Sequence, residues 1–177
     1  MEDDTEIVGR YILAFVESTG DVSTVFERKT RETFEEIGLD VGEVEEDSWH
    51  DAQKYADAMH EIRDKVGEKT LEKAGAEQAK NVPWPEHVNS AADGLQFLED
   101  ADEEAFRSPS GTVESNYRVE EMDSTSSRVS ILDHSPYPVE NYKGVIKGVV
   151  DSLSSSNGNV TEVDTRSDEK AAYEVRW

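Results

Sequence analysis

The chain has 177 residues, of which 41 are acidic and 18 basic, so its formal net charge is −23, and 35% of it is hydrophobic. This length and apolar content predict one domain that spans residues 1–177. The charge would repel nucleic-acid phosphates and anionic lipid headgroups, so we expect neither nucleic acid nor membrane as a partner. Cysteine is absent, which excludes disulfides, cysteine-based zinc sites and cysteine nucleophiles.

The acidic residues are distributed along the whole chain, from Glu2 to Glu174. They could form an acidic partner-binding face or the general surface of a protein from a high-salt cytoplasm. The even distribution favours the second interpretation, a halophilic, archaeon-like source. The N-terminus, Met1–Asp4, is acidic where a signal peptide is basic, and no apolar run reaches the roughly 18 residues of a membrane span. We therefore expect a cytoplasmic protein.

Apolar residues recur at helical spacing over residues 1–108, which predicts an N-terminal helical bundle. Gly20 and Gly38 are candidate C-caps of the first two helices. Ser48 with Asp51 resembles a capping box for the third. Pro85 fits the first turn of the fifth. The predicted helices cover Ile7–Phe15, Val22–Ile37, Trp49–Val66, a short segment around Leu71–Ala74, and Pro85–Leu98, with Phe106 as a candidate extension of the last helix face.

The period of the apolar residues changes to two after residue 111, so residues 112–177 are predicted to form an antiparallel β-β-α-β-β unit and the fold class is α+β. We expect the N-terminal helices to cover the other face or an edge of this sheet. Gly144 and Gly148 lie four residues apart in the helix, a spacing that lets a strand or a ligand pack closely. The predicted elements are Tyr117–Glu120, Arg128–Leu132, the helix Val139–Leu153 ended by Ser154–Gly158, Val160–Val163 and Tyr173–Trp177.

The segment Asn116–Trp177 resembles the superfamily that joins 4-vinyl reductase domains, haem nitric-oxide-binding domains and a Golgi transport component. In that superfamily an aromatic-rich loop leads from a hairpin into a helix with a glycine and an apolar run. Here the loop Asp133–Pro138 leads into Tyr142–Val150 in the same way. Two strands with an aromatic-apolar ending, like Tyr173–Trp177, close the domain. The resemblance implies a ligand-binding domain of α+β type.

The haem-binding branch of this superfamily keeps its ligand histidine on the helix before the hairpin. The corresponding stretch here, Glu99–Glu104, contains no histidine. The same branch holds the haem propionates with a Tyr-x-Ser-x-Arg signature, and Asp133–Tyr137 keeps only the serine. We therefore expect no haem and no metal, and a haem-based gas sensor is the less favoured interpretation.

The four histidines are the remaining candidates for site chemistry. His50 and His60 are ten residues apart on one predicted helix, about 15 Å along its axis, so they cannot share a metal there. Both are expected on the surface or flank of that helix. His87, beside Trp84, is either a pocket residue or part of a helix start. His134 lies in the loop where the superfamily lines its cavity, but the acid before it and the serine after it are adjacent in sequence, unlike a catalytic triad.

These residues predict a small-molecule sensing or ligand-binding domain of the haem nitric-oxide-binding/4-vinyl reductase-like type, without haem, that holds a small apolar ligand. The alternative is a protein-interaction module, and in either case we expect a homodimer. No nucleophile is accompanied by a base and its orienting group, so no catalytic residue and no enzyme are predicted. The predicted pocket is lined by Trp84, His87, Leu95, His134, Tyr137, Tyr142, Ile146 and Val149.

Low salt is expected to loosen or unfold the domain, because only high salt screens the self-repulsion of a net charge of −23. The melting temperature, measured by circular dichroism, should rise between about 0.1 M and about 3 M KCl. A melting temperature that is the same at both ends of this range would contradict the halophilic interpretation.

Overall fold

A computed structural model describes residues 4–154 and 158–177. None of its described helices combines the length and the hydropathy needed to cross a bilayer. The helices are α1 Gly9–Val22, α2 Thr24–Glu36, α3 Ala52–Val66, α4 Glu68–Lys80, α5 Ala91–Ala105 and α6 Val139–Leu153. The strands are β1 Glu6–Val8, β2 Trp49–Asp51, β3 Phe106–Arg107, β4 Tyr117–Asp123, β5 Ser126–Leu132, β6 Asn159–Glu162 and β7 Glu169–Arg176. The α+β fold class predicted from the sequence is confirmed.

A small antiparallel sheet that the sequence analysis missed joins the chain start to the helices. Its order is β2-β1-β3, and Ile7 in the central strand pairs with His50 on one side and Phe106 on the other. Strands of two or three residues are too short to show an alternating pattern. The first predicted helix therefore overlaps β1, and the third includes β2. Gly20 does not end the first helix, since α1 continues to Val22.

Several predicted helix ends differ from the observed ones because another residue supplies the cap. Asp51, not Ser48, caps α3, and its carboxylate accepts from Gln53 N at 2.8 Å. Ser90 caps α5, so Pro85 lies before that helix rather than in its first turn. The short helix predicted around Leu71–Ala74 is the 13-residue α4. Part of the predicted end of α6, residues 155–157, lies outside the described residues.

The larger sheet has the order β4-β5-β7-β6, and all of its neighbours are antiparallel. Its apolar face packs on α6, where Tyr142 meets Tyr117 edge-on at a centroid distance of 5.1 Å. The N-terminal helices reach this sheet at its edge, where Glu99 of α5 accepts a hydrogen bond from Val119 N at 3.1 Å. Of the two arrangements predicted for these helices, the structure shows the one at the sheet edge.

The other face of this sheet carries a charged network centred on Glu169, whose side chain is fully buried. Arg118 and Arg128 donate to its carboxylate at 2.7 and 2.5 Å, and Ser130 donates at 2.7 Å. Burial raises the pKa of Glu169, but these hydrogen bonds and one from Arg166 N outweigh it and lower the pKa to about 2. The buried charge is thus compensated, and the arginine side chains cover the sheet.

Close contact between α4 and α6 joins the helical part to the sheet unit. A Cβ added to Gly144 would collide with the Glu72 carbonyl, and one added to Gly75 would collide with the Asn141 carbonyl. The glycine spacing in α6 therefore accommodates the backbone of a helix, and not the strand or the ligand expected from the sequence. Lys147 forms an ion pair with Glu72 across the same contact.

Replacing Gly144 with alanine is expected to force α4 and α6 apart and to lower the free energy of unfolding by about 1–3 kcal/mol, the usual cost of overpacking. Gly20→Ala is the matched control, because Gly20 also lies in a helix and a Cβ there would meet only the flexible end of Glu27. Urea denaturation should show the control unchanged or more stable. Equal losses in the two variants would contradict this account of the interface.

Candidate ligand-binding site

Asp102, near the end of α5, is the central polar group at the junction between the helical part and the sheet unit. Its carboxylate is enclosed by protein, although part of the residue reaches solvent. Oδ2 accepts from the backbone N and the side-chain Nδ2 of Asn116 at 2.6 and 2.9 Å, and from Ser115 Oγ at 3.4 Å. Burial raises the pKa of Asp102 to about 6, although these hydrogen bonds act in the opposite direction.

Four tyrosines surround this carboxylate closely enough for its charge to affect their pKa values. Tyr117 and Tyr142 are in edge-on contact, and the Tyr137 ring lies 6.1 Å from that of Tyr142. Tyr11 donates its hydroxyl to the Ala101 carbonyl at 2.8 Å. Burial raises the pKa of all four, so their phenols are neutral. Aromatic side chains therefore fill the space on this side of α5.

The loop between β5 and α6, residues 133–138, is held by side chains from three other segments. Ser135 donates its hydroxyl to the Tyr142 hydroxyl at 2.6 Å. Lys170 Nζ donates to the carbonyls of Ser135 and Tyr137 at 3.0 Å each. His60 Nε2 lies 2.8 Å from the Pro136 carbonyl, so His60, predicted to be a solvated flank residue, is a partly buried anchor of this loop.

A groove of about 500 Å³ opens between this loop and the segment that follows β3. Its floor consists of Thr5, Phe106 and Asn116, which are all buried. Its walls come from residues 108–114 on one side and from His134 and Pro136 on the other. The volume lies within the range of about 300–1,000 Å³ that small-molecule sites occupy. Asn116 connects the groove to Asp102, because its side chain donates a hydrogen bond to the Asp102 carboxylate behind the groove floor.

A second, smaller cavity of about 280 Å³ lies where α6 meets β6 and is lined in part by Lys147, Asp151 and Asn159. Neither cavity contains a cluster of metal-ligating side chains, since no group of three or more His, Cys, Asp or Glu suited to a metal occurs over residues 4–154 and 158–177. The larger groove is therefore the better candidate for an organic ligand.

The predicted pocket residues do not share one cavity. Of the eight, only His134 lines the groove. His87 is exposed, and Trp84 is half-buried against Phe97. The other five are buried in the hydrophobic core: Leu95, Tyr137, Tyr142, Ile146 and Val149.

Most residues that line the groove, and the Asp102 carboxylate behind it, are absent from the pocket predicted from the sequence. Thr5 and Glu114 lie beyond the ends of the predicted elements, where no periodic pattern marks them, and Phe106, a candidate extension of the fifth helix face, lies in β3 instead. Asp102 is one of many acidic residues on its helix, so nothing in the sequence singles it out. Asn116 lies directly before the predicted hairpin. A polar residue at this junction of the helical part and the sheet unit is the one feature of the sequence that points to the missed residues.

No protein-family model matches the chain, and no curated protein matches it either. Several solved structures do match the chain. An oxygen-binding H-NOX domain related to soluble guanylate cyclases, in its oxygen complex, aligns with a TM-score of 0.68 and 11% identity over 96% of this chain and 93% of that one. A mutant of the T. tengcongensis H-NOX domain aligns with a TM-score of 0.68 and 12% identity over 96% of each chain.

A third structure, of a protein whose haem redox potential is modulated by porphyrin distortion, aligns with a TM-score of 0.69 and 12% identity over 96% of this chain and 98% of that one. At such low identity, the likeness concerns the fold. The chain therefore has an H-NOX-like fold, in agreement with the resemblance seen in its C-terminal segment.

Replacing Asp102 with asparagine is expected to remove a pH-dependent part of the stability. The pKa of Asp102 is higher in the folded state than in the unfolded chain, so the folded state binds the proton more tightly and the wild type gains stability as the pH falls. Between about pH 7 and about pH 5 the wild type should gain about 1 kcal/mol relative to Asp102→Asn.

Urea denaturation of both proteins at each pH measures this difference, and contributions from other carboxylates such as Glu169 cancel in the comparison. A difference that is constant over this range, or that shifts in favour of the variant at low pH, would show that Asp102 is not the enclosed carboxylate described above.

Proposed function

We propose that this protein is a ligand-binding sensory domain of the H-NOX type that works without haem. The observation that carries the proposal is the enclosed Asp102 with its surrounding tyrosines, in a chain that has the H-NOX-like fold over nearly its whole length. Asp102 lies in the stretch Glu99–Glu104, where the family resemblance places the haem-ligating histidine. This stretch carries a hydrogen-bonded carboxylate and no histidine.

The residues around Asp102 do not fit a haem group. Haem iron in proteins is held by histidine, cysteine, methionine or tyrosine side chains. The stretch around Asp102 supplies none of the first three, and burial raises the pKa of the nearby tyrosines, which disfavours the phenolate that would bind iron. The rings of Tyr117 and Tyr142, which lie close to Asp102, are also in direct edge-on contact with each other.

The loop 133–138 also lacks the cationic group that the family resemblance implies for haem propionates. Its serine, Ser135, is engaged by Tyr142. The nearest cation described there, Lys170, donates to two backbone carbonyls of the loop instead. The surface of a chain with a net charge of −23 would in addition repel two carboxylates.

The same loop supports a binding function rather than catalysis. His134 makes no hydrogen bond to Asp133 or Ser135 in the part of the chain that the structure describes, and the Ser135 hydroxyl is directed to Tyr142. A nucleophile with a base and an orienting group is therefore not assembled at this site. We propose that the groove between this loop and the segment after β3 admits the ligand.

The homodimer remains a prediction, since the structure describes one chain. Among the described residues, the exposed large hydrophobic side chains are Val25 and Met122, on α2 and β4 respectively. Two such isolated side chains do not form the large apolar patch that marks a stable interface. The interaction module is for this reason the weaker of the two functions predicted from the sequence.

Titration of the purified protein with haemin should give no sharp Soret band, because the space beside Asp102 is filled and lacks an iron ligand. An apo-globin titrated in parallel provides the positive control. Native mass spectrometry of the same samples should show the bare chain mass. A stoichiometric Soret band, with the mass of the chain plus one haem, would contradict the proposed function.

A further inference from the structure

We propose that the groove bounded by Thr5, Phe106, Asn116 and His134 binds a small organic cation, namely an amine or a guanidine attached to an apolar body. This inference rests on the proposed function and adds to it the position of the site and the chemical class of its ligand. The sequence predicts a small apolar ligand. The lining of the groove indicates that this ligand also carries a positively charged group that donates hydrogen bonds.

The floor of the groove offers hydrogen-bond acceptors. Asn116 is 4% exposed, and its Nδ2 donates to Asp102, which as a carboxylate can only accept. The orientation of the amide is thereby fixed, and its Oδ1 remains as an acceptor with no partner among the described residues. Thr5 is 6% exposed, and its hydroxyl likewise has no partner in the described part of the chain. Both oxygens are open to the groove, since neither is among the buried polar atoms that lack a partner, and they can accept hydrogen bonds from a ligand.

The charge of the groove favours a cation. Glu114 is exposed on one wall and forms no ion pair with the described residues. Among residues 4–154 and 158–177, no lysine or arginine lines the groove, and His134 is the one basic side chain there. Arg107, the nearest arginine along the chain, is engaged elsewhere, since it pairs with Glu6 at 2.6 Å and lies over the Trp49 ring.

The apolar part of the floor favours a ligand whose charged group is attached to an apolar body. Phe106, which is 8% exposed, and Pro136 both line the groove and supply its apolar surface. An aromatic face attracts a nearby cation through its quadrupole and also buries hydrocarbon. A bare metal ion would not use these surfaces. An anion would meet Glu114, and a neutral hydrocarbon would leave the acceptors of Thr5 and Asn116 unpaired.

Binding of three probes of similar shape tests the inference: benzylammonium, benzyl alcohol and benzoate. Each is titrated into the isotope-labelled protein at a salt concentration where circular dichroism shows it folded, and backbone amide shifts are followed by NMR. Benzylammonium should give saturable shifts at Thr5, Phe106, Asn116 and His134. Benzyl alcohol should bind more weakly, and benzoate should not bind. Equal binding of the three probes, or no saturable shift with benzylammonium, would overturn the inference.

The variant Glu114→Gln removes the wall charge, and Glu121→Gln is its matched control, an equally exposed glutamate on β4 outside the groove. Glu114→Gln should weaken benzylammonium binding about five-fold, whereas the control should leave it unchanged. Equal weakening by both would show general charge attraction and would overturn the inference.

The haemin titration separates this inference from the proposed function. Absence of groove shifts in a protein that gives no Soret band refutes the cation site alone. A stoichiometric Soret band refutes the proposed function, whatever the groove binds.

Discussion

The enclosed carboxylate of Asp102 is the interaction on which the arrangement of the two parts depends. It connects the end of α5 to the start of β4 through three donors of Ser115 and Asn116. On one side it lies among tyrosines that fill the junction, and on the other it fixes Asn116 in the floor of the groove. In addition to the contact of α4 with α6, Asp102 thus links the helical part to the sheet unit, and it fixes the orientation of the Asn116 amide at the groove.

The enclosed carboxylates of Glu169 and Asp102 show how the surroundings determine the behaviour of a charge. Glu169 is surrounded by arginines, and their hydrogen bonds lower its pKa to about 2 in spite of its burial. Asp102 has only neutral donors, so burial prevails and raises its pKa to about 6. Glu169 therefore stabilises a sheet face as a permanent anion. The pKa of Asp102 is raised by burial towards neutral pH, and this carboxylate lies behind the groove.

The sequence predicted the C-terminal unit well because its elements are long and periodic. The helix Val139–Leu153 has the predicted bounds, and the hairpin differs from the prediction only by a few residues at the turn. The small sheet was missed, since strands as short as Phe106–Arg107 have no period. Residues predicted to line an apolar pocket, such as Ile146, share a helix face and belong to the hydrophobic core. The groove combines residues from three distant segments, and only the tertiary structure brings Thr5, Asn116 and His134 together.

A crystal structure of the protein purified from cells supplied with a haem precursor would test the central claim most directly. The account predicts that Tyr117 and Tyr142 are in ring contact beside α5 and that Asp102 is hydrogen-bonded to Asn116, with no porphyrin between them. A porphyrin in that space, with the tyrosines displaced and an iron ligand supplied by this chain, would contradict it.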